Sequence, residues 1–396
     1  MSFLSFLGRK KEGVSLLIDI GNGSITGAFV LFSEGKKPKF LYSLKKTFTV
    51  SEKPNALRLI DGMSLLLDSL IEIMVKEEPQ KIHSVVVSLS SPWFIIKTKE
   101  IKISEKAPYT VTAGFLNEIL SEEEKLFISE IITSLDSEEE KDFVVVEKSI
   151  IHSKINGYPV SDIIGKKTKT FEANLSMSAV SRSIEEKIVS IISKNTHLSR
   201  DKILMRTFPT VLFSTIRDNF AKESDFILMD ITGEITDIMV INNDVIVKMA
   251  SFPLGRNFVI RQISKALSIS TEIALSDISM YIKNKTHKES SNNIQGVLEN
   301  IEKEWAIYLE DTLNSLSEDM VFPRTLYITT NSDTAPIFIE FLKLPKSDTT
   351  SEFRKNTNII HINSSSLSNF YDSYSVIPED EFVALLAVFY NKIVQG

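Results

Sequence analysis

Apolar and polar positions along the first ninety residues change period several times. Val14 to Ile18 is a mainly apolar run of strand length broken only by Ser15, and Ile25 to Leu31, with Thr26 near its start, is a second one after a short turn. Lys39 to Thr49 reads as a third strand. From Ala56 to Lys76 the spacing shifts to that of a helix, with Leu57, Ile60, Met63, Leu67, Leu70 and Met74 along one stripe. His83 to Ser88 (HSVVVS) returns to a short buried strand.

At Ser90-Ser91-Pro92-Trp93 the pattern changes. Phe94 to Ile103 and Asp142 to Lys154 alternate like half-exposed strands, as does Lys169 to Ser178. Between them Thr112 to Leu135 predicts an acidic helical stretch, interrupted by its SEEEK repeats and solvated on that face. Asn156-Gly157-Tyr158-Pro159 is a tight turn. Helices follow at Ser181 to Ser193 and Pro209 to Phe220, with a strand at Lys202 to Thr207 between them. Beyond Asp244 to Ser251, a strand, come the Phe252-Pro253-Leu254-Gly255 turn and a helix from Asn257 to Ala266. Ser268 to Pro323 is mostly helical, with a polar break at Lys285 to Asn293. Leu326 to Thr330 is a strand, Ala335 to Leu344 a helix, Lys346 to Asn358 a polar loop and Pro378 to Val394 a closing helix.

Two of these strand pairs share a device. Val14 to Phe32 reads VSLLIDIGNGSITGAFVLF, so Asp19 stands at the inner end of an apolar strand, where a carboxylate needs a cation, water or donor. Gly21, Asn22 and Gly23 make the turn, and residues without a Cβ let backbone N–H groups approach an anion. More than half the chain later, Asp225 to Val240 reads DFILMDITGEITDIMV: apolar strand, Asp230-Ile231, a glycine in the turn, and Ile-Thr opening the return. Each hairpin alone is compatible with an ordinary turn and a solvated aspartate. The repetition points to two halves built on one plan.

Composition narrows the function. A chain of 396 residues with 43% hydrophobic content can bury more than one core, and two lobes or more are expected. A formal net charge of −7 supplies no basic footprint, so nucleic acid is not an expected partner. The absence of cysteine excludes thiolate metal sites, disulfides and cysteine nucleophiles and fits a reducing cytoplasm. Five scattered histidines have no ligand-like spacing. No apolar run reaches bilayer length. At the start, Phe3, Leu4, Phe6 and Leu7 precede Arg9, Lys10 and Lys11, an arrangement suited either to weak contact with an anionic membrane surface or to a frayed tail. A cytoplasmic location, peripheral on the inner face of the cell membrane, is the expectation. Trp93 and Trp305 are expected in cores rather than at an interface.

Opposed strand-Asp-turn-strand hairpins are the phosphate clamps of the actin-like ATPase superfamily, which the chain resembles. The resemblance implies an α/β, actin-like (ribonuclease H-like) two-lobed fold. The stretches TAGFLNEIL and INGYPVSDIIGKKTKTFEANLSM, inserted between the first and second thirds, are similar to the subdomain of bacterial FtsA, the actin-like partner of the division polymer FtsZ. The PilM family of type IV pilus assembly is the neighbouring resemblance. The implied organisation is an N-terminal tail (1–13), a first lobe (14–90), an FtsA-type inserted subdomain (91–178), and the first lobe continued with an interlobe helix (179–222). A second lobe with the second hairpin (223–262) follows, then its outer subdomain (263–323), its continuation (324–369) and a closing helix (370–396). The chain ends without the basic amphipathic tail with which FtsA holds the membrane.

By the same resemblance ATP and Mg²⁺ would be the cofactors. Asp19, Gly21, Asn22, Gly23 and Ser24, then Asp230, Thr232, Gly233, Glu234 and Thr236, and finally Thr330, Asn331 and Ser332 would be the nucleotide-binding positions, with Asp19 and Asp230 organising the metal. The chain departs from the pattern at several of them. Ser24 and Thr26 stand where a lysine is common. The family's Asp-x-Gly-Gly becomes Asp230-Ile231-Thr232-Gly233 followed by Glu234, whose carboxylate would repel a triphosphate. Thr-Gly-Gly-Gly becomes Thr329-Thr330-Asn331-Ser332, and Phe208 occupies an interlobe position where an acid or amide orients water. The expected function is an FtsA-like scaffold with weak or lost ATP hydrolysis, recruiting a partner such as FtsZ and capable of self-association into filaments. A PilM-like scaffold bound to a pilus inner-membrane protein and an active actin-like ATPase are the alternatives.

Overall fold

The computed structural model describes residues 13–53, 55–135, 142–160, 162–285, 287–316, 322–343, 357–373 and 380–395. In chain order its elements are β1 (Gly13–Ile20), β2 (Ser24–Phe32), β3 (Lys39–Thr47), α1 (Ala56–Glu77), β4 (Ile82–Leu89), β5 (Ile95–Thr110), α2 (Ala113–Ser134), β6 (Phe143–Ile155), β7 (Tyr158–Pro159), β8 (Lys167–Ser181), α3 (Arg182–Thr196), β9 (Ile203–Thr207) and α4 (Phe208–Asn219). Then come β10 (Phe226–Ile231), β11 (Thr236–Asn242), β12 (Val245–Phe252), α5 (Arg256–Leu267), α6 (Thr271–Ile282), α7 (Lys288–Leu316), β13 (Thr325–Thr330), α8 (Ala335–Lys343), β14 (Asn358–His361), α9 (Ser364–Leu367), β15 (Asp372–Ser373) and α10 (Glu381–Gln395).

Each hairpin is the centre of its own sheet. The first has strand order β15-β3-β2-β1-β4-β9 and the second β12-β11-β10-β13-β14. In both, the leading strand pairs antiparallel with its return and parallel with the strand after the crossover helix. Both sheets are covered on two faces, which is why their strands read as continuous apolar runs rather than as alternation. Leu16, Ile18 and Ile20 of β1 face α1 and α3, while Leu17, Ala28 and Val30 face the other way. That second face joins Phe208 and Leu212 of α4, Phe382 and Leu386 of α10, and Leu228 and Met239 of the second sheet in one core. Two helices therefore lie between two sheets, and the lobes share a hydrophobic floor.

The third sheet, β5-β8-β6-β7, lies between β4 and α3 in sequence. Phe171 and Leu175 on β8 meet Leu116 and Leu120 of α2, and Met177 and Ala179 meet Phe127 and Ile131. The SEEEK run at Ser121–Lys125 does not interrupt α2, and the one at 137–141 lies outside the described residues. Glu123, Glu124 and Glu130 pair with Lys99, Lys148 and Lys97 of the sheet, so the acidic run is turned toward cations as well as solvent. Exposed pairs of this kind add only about 0.2–1 kcal/mol each. The polar break in the outer helices is shorter than its sequence suggests, since α7 already begins at Lys288. The short strands β14 and β15 have no counterpart in the sequence reading. Most of the polar loop expected at Lys346 to Asn358 falls outside the described residues, and so does the N-terminal segment with Phe3, Leu4, Phe6 and Leu7. No helix among the described residues is long and apolar enough to cross a membrane.

Candidate functional site

The two hairpin tips touch. Asn22, 1% exposed, engages both ends of its carboxamide: Nδ2 donates to the Ser91 carbonyl at 2.6 Å and to Thr232 Oγ1 at 2.9 Å, and Oδ1 accepts from the Glu234 backbone N–H at 2.8 Å. Beside it the backbones of Gly23 and Gly233 come together. A Cβ on Gly233 would lie 2.5 Å from Gly23 Cα, and one on Gly23 would lie 2.8 Å from Gly233 Cα. Only glycine at both positions permits that approach. Asp19 and Asp230 are thus placed on either side of one interlobe junction, each buried at the end of its strand.

Each tip is braced from behind by a tryptophan. Trp93 Nε1 donates to the Gly21 carbonyl at 3.1 Å, and Gly21 N–H closes the turn on Ser24 O at 3.0 Å. On the second side Trp305 Nε1 donates to Leu254 O at 3.2 Å, a carbonyl that also accepts from Thr236 Oγ1 at 2.8 Å. Gly255 then packs under the hairpin, and Arg256 and Asn257 donate their backbone N–H groups to Thr232 O and Gly233 O. Both indoles are buried, as a tryptophan with a satisfied N–H can be.

Glu234 does not point into the junction. Its carboxylate is gripped by Arg261, whose Nη1 and Nη2 lie 2.9 and 2.7 Å from the two oxygens, and by Asn257 Nδ2 at 2.9 Å. In the third expected nucleotide segment Asn331 is engaged, while the buried Thr330 Oγ1 has no hydrogen-bond partner among the described residues. Asn331 Oδ1 accepts from Lys45 Nζ at 3.3 Å, Thr330 is fully buried, and Ser332 is exposed. Asp333 takes a bidentate ion pair from Arg256. Lys45, Arg256, Arg261, Asp333 and Asp380 were not singled out by the sequence. They lie far along the chain from their partners, so no local motif marks them.

Under the tips lies a buried group of carboxyls served by one cation. Asp237 accepts from Ser91 Oγ and Ser251 Oγ, and Asp230 accepts from Thr329 Oγ1 at 2.8 Å. Asp380 caps α10 through Phe382 N and Val383 N, accepts from Thr26 Oγ1 at 2.7 Å and pairs with Lys45 at 3.0 Å. Asp19 Oδ1 has no hydrogen-bond partner among the described residues. Burial holds the Asp19 carboxyl well above the usual carboxylate range, with the Asp380 charge adding to the effect and Lys45 opposing it. Burial and the neighbouring Asp237 do the same to Asp230. Asp237 is pushed by burial up to about 6, and Glu381 by burial and Asp380 up to about 8. Desolvation works against the Lys45 ammonium, yet Asp380 keeps its pKa above the ordinary lysine value. Among the described residues no three carboxylate or imidazole side chains converge as a cation cage. Thr329 Oγ1 is the donor to Asp230, while the Lys45 ammonium is bound to Asp380 and Asn331 and acts on Asp19 only through its charge.

Two surface concavities, of about 750 Å³ along Ser104–Thr110 and about 590 Å³ along one face of α2, lie on the inserted sheet and helix rather than between the hairpins. Gly233→Ala is accordingly expected to cost about 1–3 kcal/mol, because the new methyl meets backbone that can move only by parting the tips. Gly296→Ala, in α7 with open space around it, is expected to stabilise by about 0.5–1 kcal/mol. Urea midpoints of the two variants check the opposite signs.

No family model matches the chain, and no curated protein matches it in sequence. Solved structures do. A chain of the PilM–PilN type IV pilus biogenesis complex is similar at 14% identity and TM-score 0.61, over 98% of this chain and 100% of that one. A Bacteroides thetaiotaomicron protein with actin-like ATPase fold aligns at 10% identity and TM-score 0.45, over 96% of each chain. The ethanolamine utilization protein EutJ from Carboxydothermus hydrogenoformans aligns at 12% and 0.46, over 95% of this chain and 90% of that one. The protein has an α/β, actin-like fold, which it shares over 98% of its length with the whole of the pilus-complex chain.

Proposed function

We propose that this protein is a PilM-like scaffold of type IV pilus assembly that works by binding a protein partner, with weak or lost ATP hydrolysis. The observation that carries the reading is the direct junction of the hairpins: the Asn22 carboxamide and the Gly23–Gly233 contact take up the space between two loops that in an actin-like ATPase would enclose phosphates. The likeness to a chain of the PilM–PilN complex supports the choice of partner class, a protein of the pilus biogenesis machinery. The location proposed with it is the cytoplasm, peripheral to the inner face of the cell membrane. An FtsA-like division scaffold recruiting FtsZ is the second reading. It is favoured by the position of the inserted sheet and helix, between β4 and α3.

Calorimetry separates these readings. The purified protein is expected to give no heat with ATP–Mg²⁺ at millimolar nucleotide and to bind the cytoplasmic segment of a PilN-type protein at micromolar concentration. Binding of an FtsZ C-terminal peptide instead would select the division reading, and micromolar ATP–Mg²⁺ binding with turnover would return the protein to the ATPases.

A further inference from the structure

The hairpin junction is more than an absence of space. One side chain, Asn22, bonds three separate groups, two of them on the opposite lobe, with both its N–H donors and its carboxamide oxygen engaged. The Glu234 N–H is a loop amide of the kind a phosphate oxygen would accept from. Here the acceptor is the Asn22 carboxamide oxygen. Around this bond run further straps between the lobes, among them Ser91 Oγ to Asp237 Oδ1 at 2.9 Å, Lys45 Nζ to Asn331 Oδ1 at 3.3 Å and Arg261 Nη1 to the Ser51 carbonyl at 3.5 Å. Lys45 is itself fixed to Asp380 at the start of α10, which packs against β1 and β2 of the first lobe.

We infer that Asn22 is an internal surrogate for a phosphate ligand, a latch that holds the two lobes closed without nucleotide. In an actin-like protein regulated by ligand, closure depends on a molecule that bridges both hairpins. In this chain the bridge is covalently part of the first hairpin, so its effective concentration is fixed and the closed arrangement is the resting one. Below the tips, α4 and α10 pack in one core with both sheets, and that shared floor supplies the pivot about which the tips would separate. Opening is then a hinge motion about that floor rather than unfolding.

The absence of cysteine makes the motion directly measurable. Single cysteines placed at exposed Glu72 on α1 and exposed Glu272 on α6 carry one spin label on each lobe of the full chain. The parent is expected to give one narrow distance distribution by pulsed electron resonance. Asn22→Ala is expected to add a longer-distance population and to raise amide exchange at Glu234 at least tenfold, with a cooperative thermal transition retained. Thr232→Ala removes one of the two bonds that Asn22 makes to the other lobe, leaves the Glu234 N–H bond in place, and carries the test with a smaller expected longer-distance population if Asn22→Ala does not fold. Distances and exchange unchanged in the folded variants overturn the latch. The inference rests on the closed junction used for the proposed function. The labels report lobe separation without any partner or nucleotide, however, whereas the scaffold reading stands on partner binding, so the two failures are distinguishable.

Discussion

Trp305→Ala is expected to lower the unfolding free energy by about 4 kcal/mol, read as a fall in the urea midpoint with little change in slope. The indole is fully buried on α7, edge-on to Phe252 at 5.7 Å between centroids and tilted against Phe338 and Phe341 at 5.8 and 6.0 Å. Truncation opens a cavity enclosed by α5, α7, α8 and the second sheet, and a close-packed interior relaxes only partly into such a space. It also removes one of the two donors to Leu254 O, the carbonyl that ties the Pro253-Leu254-Gly255 turn to Thr236. The effect should therefore reach the second hairpin, with amides of residues 232 to 236 losing protection below the global unfolding free energy. Trp305→Phe retains most of the volume but not the N–H, so it should show the loosened hairpin with the smaller stability loss. A midpoint within about 1 kcal/mol of the parent for Trp305→Ala would mean that the outer helices are not packed as described.

The paired tryptophans show what could be read in the sequence and what could not. Strands and helices were legible because both sheets are buried on both faces, so Val14–Ile18 and Phe226–Met229 appear as apolar runs, and α1 shows its stripe directly. The repeated Asp-Ile before a glycine turn was legible as a duplicated device. What the repetition could not convey is contact across it. Asn22 reads as a turn residue, and its role as a bridge depends on Thr232, 210 positions away. Glu234 reads as a charge facing a ligand, yet Arg261, one helix later, turns it aside. Lys45 sits in β3, whose alternation gives no hint that this lysine faces buried Asp380 while Lys46 reaches Ser69 on α1. The SEEEK run at Ser121–Lys125 reads as an interruption by its charge, yet Glu and Lys are good helix formers, and the lysines of the adjoining sheet that meet it are distant in sequence. Strands of two to four residues such as β14 and β15 lack any periodic signal and form only because a longer neighbour offers its edge.

Stability is expected to be highest on the acid side of neutrality and to fall steadily as pH rises from about 5 to 9. Asp19, Asp230, Asp237 and Glu381 all have folded pKa values raised by burial, and Glu147 is raised in the same way despite Arg206 beside it. A carboxyl with a raised folded pKa binds more protons in the native than in the unfolded chain between the two values. Its contribution is complete below the unfolded pKa, near 4, and is lost as pH climbs through the folded one. For Asp237, held up to about 6, the loss by pH 8 is on the order of 3 kcal/mol. Glu381, held up to about 8, continues the decline into the alkaline range. His361 works in the other direction. Burial lowers its pKa, so it adds stability as pH rises toward 6.5, but it is one half-buried group against five buried acids. Lys45 is charged throughout the range, since its partner Asp380 raises its pKa, and it cannot compensate ionisation of more than one or two neighbours. Urea midpoints measured at intervals between pH 5 and 9 check the slope. Asp237→Asn is the discriminating variant, because the amide oxygen can still accept from Ser91 and Ser251 while the titrating proton is gone. It should flatten the profile between pH 5 and 7 and leave the alkaline limb in place. A midpoint that rises with pH across the whole range would show that these carboxyls are ionised and compensated in the native protein, and that the junction between the lobes is wetter than its packing indicates.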